Sequence, residues 1–327
     1  MITPRHSLCW LALLPALVLI PALSSAQVKG LQNRPVRIIV PNAPGGPNDL
    51  AGRIIAPHLS EALRQNVVVD NRASANGVIG AEYVARGEPD GTVLAVGNSG
   101  THAVNATLYK KPSYHPVRDF AAVSETMFSS LVLVANPKVA ANNVGELIAE
   151  AKRNPGKLNI AIAGATGEVA GNLIKLMGKV EMNNVPYKGG TPAIIAVVSN
   201  ESQLLLTPYA SLVAMIDGGK LKPLGVTASK RDRGLPNVPT LAESGLDGYQ
   251  VEFWVGFFAP AKTPAATVNA LSREIVRITQ LPEVRERLTT AGFEVVGSSA
   301  AEFSARVKRD TEKFRKIILD SGMQQLD

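Results

Sequence analysis

The stretch Arg37 to Ala56, RIIVPNAPGGPNDLAGRIIA, passes from a β-branched run through a glycine-proline turn into a helical pattern with no loop to spare. Val36 to Val40 reads as a strand, Pro44-Gly45-Gly46 breaks it, and Pro47 has the fixed φ favoured at the first helical position. Gly46 is then the N-cap, and Asp49, at the third helical position, reaches back to the cap as the acidic half of a capping box. Helix N-termini carry unpaired N–H groups and partial positive charge, and glycine lets an anion approach the backbone. The turn supports two readings, an anion site and a plain capped helix. A nucleotide is disfavoured, because the glycines do not fall as G-x-G-x-x-G and no G-K-S/T follows.

The N-terminus predicts the compartment. Arg5 precedes an apolar run from Leu8 to Leu23 and then Ser24-Ser25-Ala26, the pattern of a signal peptide over residues 1–26 cleaved after Ala26. Pro15 and Pro21 interrupt the run, which is shorter than the roughly 20 residues of a membrane span. Cys9 is the only cysteine, so the exported chain is expected to lack disulfides, a cysteine nucleophile and thiolate metal sites. The formal net charge of +7 includes Arg5; the other cations are spread among acids, and aromatics make up only 5%, which argues against nucleic acid.

From Val36 onward β-rich runs alternate with helical patterns: VRIIV, a helix from Pro47 to about Arg64, NVVVD, a helix from Asn76 to Arg86, and TVLAVGN. A second series of the same kind starts near Val144, and amphipathic helices fill the chain from Pro264. Two long β-like runs, Ala121 to Ala135 and Tyr249 to Phe258, are placed to cross between two α/β lobes, giving a hinged clamshell. Ligands of open parallel sheets sit beyond the carboxyl ends of strands. Here five such ends carry glycine, hydroxyl or amide groups: Pro44-Gly45-Gly46, RASANGVIG, GNSGTH with Ser99 and Thr101, GATGE, and TPYAS. Five helix starts around one cleft would hold an anion by backbone N–H and hydroxyl groups, without a buried arginine.

The stretches RPVRIIVPNAPGGPNDLAGRIIA, NVVVDNRASANGVIGAEYVARGEPDGTVLAVGNSGTHAVNATLY, PGKLNIAIAG, VPYKGGTPAI, GKLKPLGVTASKRDRGLPNVPTLAESG and PEVRERLTTAGFEVVGSS, in that order, resemble the solute-binding receptors of tripartite tricarboxylate transport systems, the Bug proteins. The resemblance covers nearly the whole exported chain. It implies an α/β, two-lobed periplasmic binding protein of the Venus-flytrap kind with two crossing strands as hinge: residues 27–127 plus 256–327 in one domain, 128–255 in the other. It further implies a monomer without cofactor or chemistry that captures a small organic carboxylate. The partner implied is a two-component membrane permease or a sensor protein. Pro44, Gly45, Gly46, Pro47 and Asn48, with Ala75, Asn76 and Gly77, are implied to pinch one carboxylate. Ala163, Gly164, Ala165, Thr166, the Tyr187-Lys188-Gly189 turn and Thr207 complete the site from the other lobe. Where many relatives carry an acid or amide, this chain has Thr207-Pro208, and a neutral hydroxyl offers nothing to an ammonium group.

The competing reading is an exported α/β hydrolase-like enzyme acting on a small acid or ester, with Ser99 as nucleophile and His102 near it. The spacing is not G-x-S-x-G, so Ser99 is read as a ligand or capping hydroxyl. His58 and His115 match no H-E-x-x-H motif. Arg72 is expected to brace Asp70, and Phe253 and Trp254 to form hinge core. Ser229 to Gly234, SKRDRG, reads as an exposed loop that could also serve for docking.

Overall fold

The computed structural model describes residues 34–187 and 189–327; the expected signal peptide, Cys9 and Lys188 lie outside the described residues. In chain order the elements are β1 (Val36–Val40), α1 (Pro47–Leu63), β2 (Val67–Asn71), α2 (Val78–Ala85), β3 (Val93–Asn98), α3 (Asn105–Leu108), β4 (Phe120–Ala135), α4 (Val144–Arg153), β5 (Asn159–Ile162) and α5 (Ala165–Gly178). There follow β6 (Asn183–Pro186), α6 (Gly190–Val198), β7 (Leu204–Pro208), α7 (Val213–Asp217), β8 (Lys222–Val226), β9 (Glu252–Pro260), α8 (Ala265–Thr279), α9 (Pro282–Thr290), β10 (Glu294–Val295) and α10 (Ala300–Asp320). The helix expected from Asn76 starts at Val78, because Asn76 and Gly77 both have positive φ. The second crossing run is a strand only from Glu252.

The strand order is β2-β1-β3-β9-β4-β7-β5-β6, with β8 and β10 also paired to β4. In the first lobe β2, β1 and β3 are parallel; in the second β6, β5 and β7 are parallel. Between them stand β9 and β4, each antiparallel to its neighbours. β4 is the element shared by the lobes: Phe120 to Ser130 pair with β9, whereas Leu131 to Ala135 pair with β7 and β8. The chain returns at Val251, whose amide donates to Thr227 O of the second lobe just before β9 begins.

This pairing decides where a ligand can sit. β3 and β4 run in the same direction and β7 runs against both, so the carboxyl edges of the two parallel sets point at each other. Asn98, the end of β3, lies opposite Val255, which lies opposite Met127; Pro208, the end of β7, lies opposite Leu131. Met127 and Leu131 are separated by about 13 Å of strand.

Burial on both faces explains the near-continuous apolar strands, since helices cover each side. One core joins α1 and α8 to one face of the first lobe's sheet. A larger one runs beneath α10 across the strands into the second lobe, through Trp254, Phe258, Phe303, Leu131 and Leu206. The third packs α6 on the second lobe, through Val132, Leu205 and Val197. Trp254 is fully buried, as expected of hinge core; Phe253 is partly exposed and packs beside it.

α10 begins with the capping box formed by Ser299 and Glu302 and lies close over β9 because Gly256 has no side chain. A Cβ there would press into the Phe303 ring and lie 2.6 Å from the Ser124 carbonyl oxygen, which is backbone and cannot turn aside. Overpacking of this kind costs about 1–3 kcal/mol. Gly256→Ala is therefore expected to lower the urea midpoint with an unchanged slope, which equilibrium denaturation followed by circular dichroism would measure; an unaltered midpoint would contradict this packing.

Candidate functional site

The first wall of the cleft is the turn after β1. Gly46 is the N-cap of α1, with no side-chain cap, and Pro47 follows it. Gly45 has φ of 82°, and a Cβ on it would meet nothing within 4 Å. On Gly46 the nearest atom would be 3.7 Å away, so both glycines face open space. Pro44 and Gly45 are exposed, and Gly46 and Pro47 half-buried.

Asp49 holds this turn in a slightly different way from the expected capping box. Its Oδ2 accepts from the Gly45 amide at 3.0 Å, one residue earlier than the cap, and its carboxylate also takes Arg53 Nε and Asn71 Nδ2. Burial raises its pKa, but the hydrogen bonds from Arg53, Gly45 and Asn71 and the Arg53 charge together hold it below the ordinary range. The carboxylate is spent on the loop. Asn48 is equally occupied: its Nδ2 donates to Val96 O at 2.7 Å and its Oδ1 accepts from Asn98 Nδ2 at 2.8 Å. Asn48 is 1% exposed, so what it offers the cleft is main chain.

Asn98 is a residue the sequence reading passed over. Besides bracing Asn48 it closes a turn with Thr101, whose amide donates to Asn98 Oδ1 and whose hydroxyl accepts from the Asn98 amide. An Asn three residues before Thr at a strand end is the signal that marks such a turn. Thr101 is thereby consumed as a positioning group, with His102 Nδ1 2.8 Å from its hydroxyl. The loop of Ala75, Asn76 and Gly77 sits on the other side of Pro41: a Cβ on Gly77 would lie 2.7 Å from Thr101 Cγ2 and 3.2 Å from Pro41. Asn76 Nδ2 donates to Tyr109 Oη, and Asn76 O accepts from Asn105. Arg72 does brace Asp70, at 3.1 Å, and lies over the Tyr83 ring at 3.7 Å.

The second wall comes from α5 and α6. Gly164 is the N-cap of α5 and Gly189 that of α6, both without a side-chain cap, and a Cβ on Gly164, Gly189 or Gly190 would again meet nothing within 4 Å. Ala163 and Gly164 are half-buried, while Thr166 is 5% exposed. Its hydroxyl lies 3.0 Å from Ser99 Oγ, so the two lobes meet at this hydroxyl pair. Thr207 is 4% exposed at the end of β7, and its hydroxyl has no partner among the described residues.

Of the five strand ends, two lead directly into α-helices, α1 and α5; the segments Ala75–Gly77 and Tyr209–Ser211 are 3₁₀ turns, and Gly100–Val104 is a π turn. α6 supplies a third uncapped start. Tyr187 is not brought to the cleft by its side chain. Its hydroxyl is bound to Glu201 Oε1 at 3.1 Å and Ser202 Oγ at 3.2 Å, packing it beneath α6. None of the loops 41–48, 73–77, 98–101, 163–166 and 207–209 contains a lysine or arginine; Lys188, just before the α6 start, lies outside the described residues. In those loops backbone amides and the dipoles of α1 and α5 attract an anion, and the dipole of α6 adds to them.

Ser99 and His102 do not form a nucleophile and base. Ser99 Oγ is paired with Thr166, and the His102 ring is stacked on Phe258 at 3.9 Å with Nε2 buried and unpartnered. Burial pushes its pKa down to about 3, which keeps the ring neutral. Two surface hollows lie away from the cleft. One, of about 470 Å³, separates α5 from the segment after α10. The other, of about 740 Å³, is bordered by Arg34, Arg37, Arg72 and Arg86. Those arginines are already paired with Asp90, Asp70 and Glu82, which leaves no unpaired cationic side chain for an anion.

Comparison with known proteins identifies the family and the fold. Residues 51–323 match the family described as "Tripartite tricarboxylate transporter family receptor". BugT of Bordetella pertussis is 30% identical over 88% of this chain and 90% of its own. Among solved structures, Rpa4515 of R. palustris with adipate superposes with a TM-score of 0.82 at 30% identity, covering 89% of this chain and 98% of that one. MatC (Rpa3494) of Rhodopseudomonas palustris with bound malate gives 0.81 at 30% identity, covering 88% and 99%. Receptors of this family are periplasmic and solute-binding. With two facing carboxyl edges, glycine-capped helix starts on both and this match, the chain belongs to the family of tripartite tricarboxylate transporter receptors, the Bug proteins.

Proposed function

We propose that this chain, exported to the periplasm by removal of residues 1–26, closes its lobes on a small organic carboxylate and passes it unchanged to a two-component membrane permease or a sensor. The observation that carries the reading is the set of uncapped, glycine-led starts of α1, α5 and α6, open to space on both walls. Such starts give a carboxylate N–H donors and a favourable dipole without the desolvation cost of a buried cation. In this reading Pro44 to Asn48 and Ala75 to Gly77 hold one carboxylate through main chain. Gly164 and the α6 start receive it from the other side, and Ser99, Thr166 and Thr207 supply hydroxyls. Thr101 and Tyr187 act by positioning. The lobes divide where β4 changes partners, at Ser130 and Leu131, and where the chain returns, at Val251 and Glu252. The adipate and malate of the two solved relatives are carboxylates without an ammonium group. The absence of an acidic side chain free to face the cleft in the loops named above fits the same preference here.

Adipate, malate or a related acid is expected to raise the melting temperature and to be recovered unaltered. A ligand at one hundred times its Kd adds about 2.7 kcal/mol. Differential scanning fluorimetry followed by mass spectrometry of the ligand would check both, and steady conversion of the acid would overturn the receptor reading.

Gly46 has φ of −85° and ψ of 174°, which any residue adopts, so Gly46→Val should fold while its side chain fills the space over the α1 start. Titration calorimetry should show binding lost with the melting temperature of the free protein nearly unchanged. Retained binding would mean that this helix start does not meet the ligand.

Succinate should bind more tightly than aspartate, because a buried ammonium without a partner costs several kcal/mol. Thr207→Asp should weaken succinate through like-charge repulsion and narrow the gap to aspartate. Equal affinities in the natural protein, or a variant that changes neither, would remove Thr207 from the ligand's surroundings.

A further inference from the structure

The face of the crossing strands that α10 covers carries a second cluster of charge, distinct from the cleft. Two bulges in β4, between Ala122 and Ser124 and between Glu125 and Met127, set its register against β9. As a result Glu125, Phe128 and Ser130 lie opposite Gly256, Trp254 and Glu252. Arg306, one turn after Phe303 on α10, reaches across both strands: Nη1 to Glu125 Oε1 at 2.9 Å and Nη2 to Glu252 Oε2 at 2.6 Å. Asp310, a further turn on, lies 3.5 Å from Arg306 Nε and accepts from the Trp254 indole at 2.8 Å. Arg309, also on α10, acts on Glu125 as well, and Lys313, beyond it, faces Asp310 and Glu252.

We propose that the carboxylates of Glu125, Glu252 and Asp310, gathered on the single guanidinium of Arg306 where the two strands leave the first lobe, form a proton-binding switch that couples the hinge to pH.

Three carboxylates meet the mostly buried Arg306 guanidinium; Asp310 is also paired with Arg309 at 3.3 Å, but Arg309 is 67% exposed, so its charge is screened. Glu125 is the deepest, at 3% side-chain exposure. Burial pushes its pKa up to about 7; the Arg306 charge pulls it back, and Asp310 and Glu252 push it further up. Burial lowers the pKa of Lys313, while the Asp310 and Glu252 charges raise it. The sign follows from a folded pKa above the ordinary 4.5: the protonated native state is favoured. This contribution to stability is complete below pH 4.5 and is lost as pH rises through about 7.

The hinge feels this proton because the same groups stand on the crossing. Glu252 follows Val251, whose amide is held by Thr227 of the second lobe. Ser130, opposite Glu252, donates to Asp232, also in the second lobe. When Glu125 takes up a proton, Arg306 is released to Glu252 and Asp310 and draws on the return strand; when Glu125 is ionised, it is shared with β4.

Trp254 reports the cluster directly. With Trp10→Phe in the full chain it is the only tryptophan, and its N–H lies on Asp310. Without ligand, its emission is expected to titrate with a midpoint of about 7. The radius of gyration from small-angle scattering should step at the same pH. Both transitions should vanish in Glu125→Gln, whose amide carries no titrating proton. A second measurement needs no variant at Glu125: with carboxyl-labelled glutamate, carbon NMR of the natural protein should show a glutamate titrating near neutrality. Emission that is flat or titrates unchanged in Glu125→Gln, scattering that stays constant across the emission transition, or labelled glutamates that all titrate below pH 6 would each overturn the proposal. Since none of these measurements involves a ligand, they stand or fall separately from the receptor reading.

Discussion

The structure depends on a reversal of direction inside one sheet. Parallel strands place their ligand-binding ends on one edge, and two parallel sets can share a cleft only if those edges are turned toward each other. Here β9 and β4 produce that turn, because each pairs antiparallel with its neighbours and β4 is long enough to serve both lobes. A βα unit alone would leave its helix start facing water. The shared strand gives it an opposite number.

A second consequence of the same arrangement is economy of charge. A cation placed between the lobes would have to be desolvated each time they closed, whereas amides at helix starts are already oriented and carry only partial charge. The charged side chains around the cleft are accordingly spent on scaffolding: Asp49 on the turn it belongs to, Arg53 on Asp49, Arg72 on Asp70. A cluster of full charges stands instead behind the sheet, under α10, where Arg306 joins it to β4 and β9.

Much of this was legible in the sequence because it is local. The β-branched run, the proline at the first helical position and the glycine before it define β1, the turn and α1 without reference to anything distant. The length of the run from Ala121 to Ala135 exposed a strand that had to cross. What stayed hidden is set by partners far along the chain. Tyr187 looked available at a strand end until Glu201 and Ser202 claimed its hydroxyl. Thr101 looked like a ligand group until Asn98 did the same. The positive φ of Asn76 delays α2 by two residues, and the grip of Arg306 on Glu125 joins residues 181 positions apart. No periodicity records such pairs.

The bond between Asn48 and Asn98 ties the turn after β1 to the turn after β3, and both are closed by further bonds to Val96 and Thr101. One half of the cleft is thus built before any solute arrives. In the proposed reading, a carboxylate meeting it loses its own freedom of motion but orders no loop, so the encounter carries little entropic penalty. Capture then separates into two events with different controls. Arrival is governed by diffusion to a finished surface, and residence time by how long the second lobe stays down. Solutes that fit the first lobe equally well would share an association rate and be told apart by their escape.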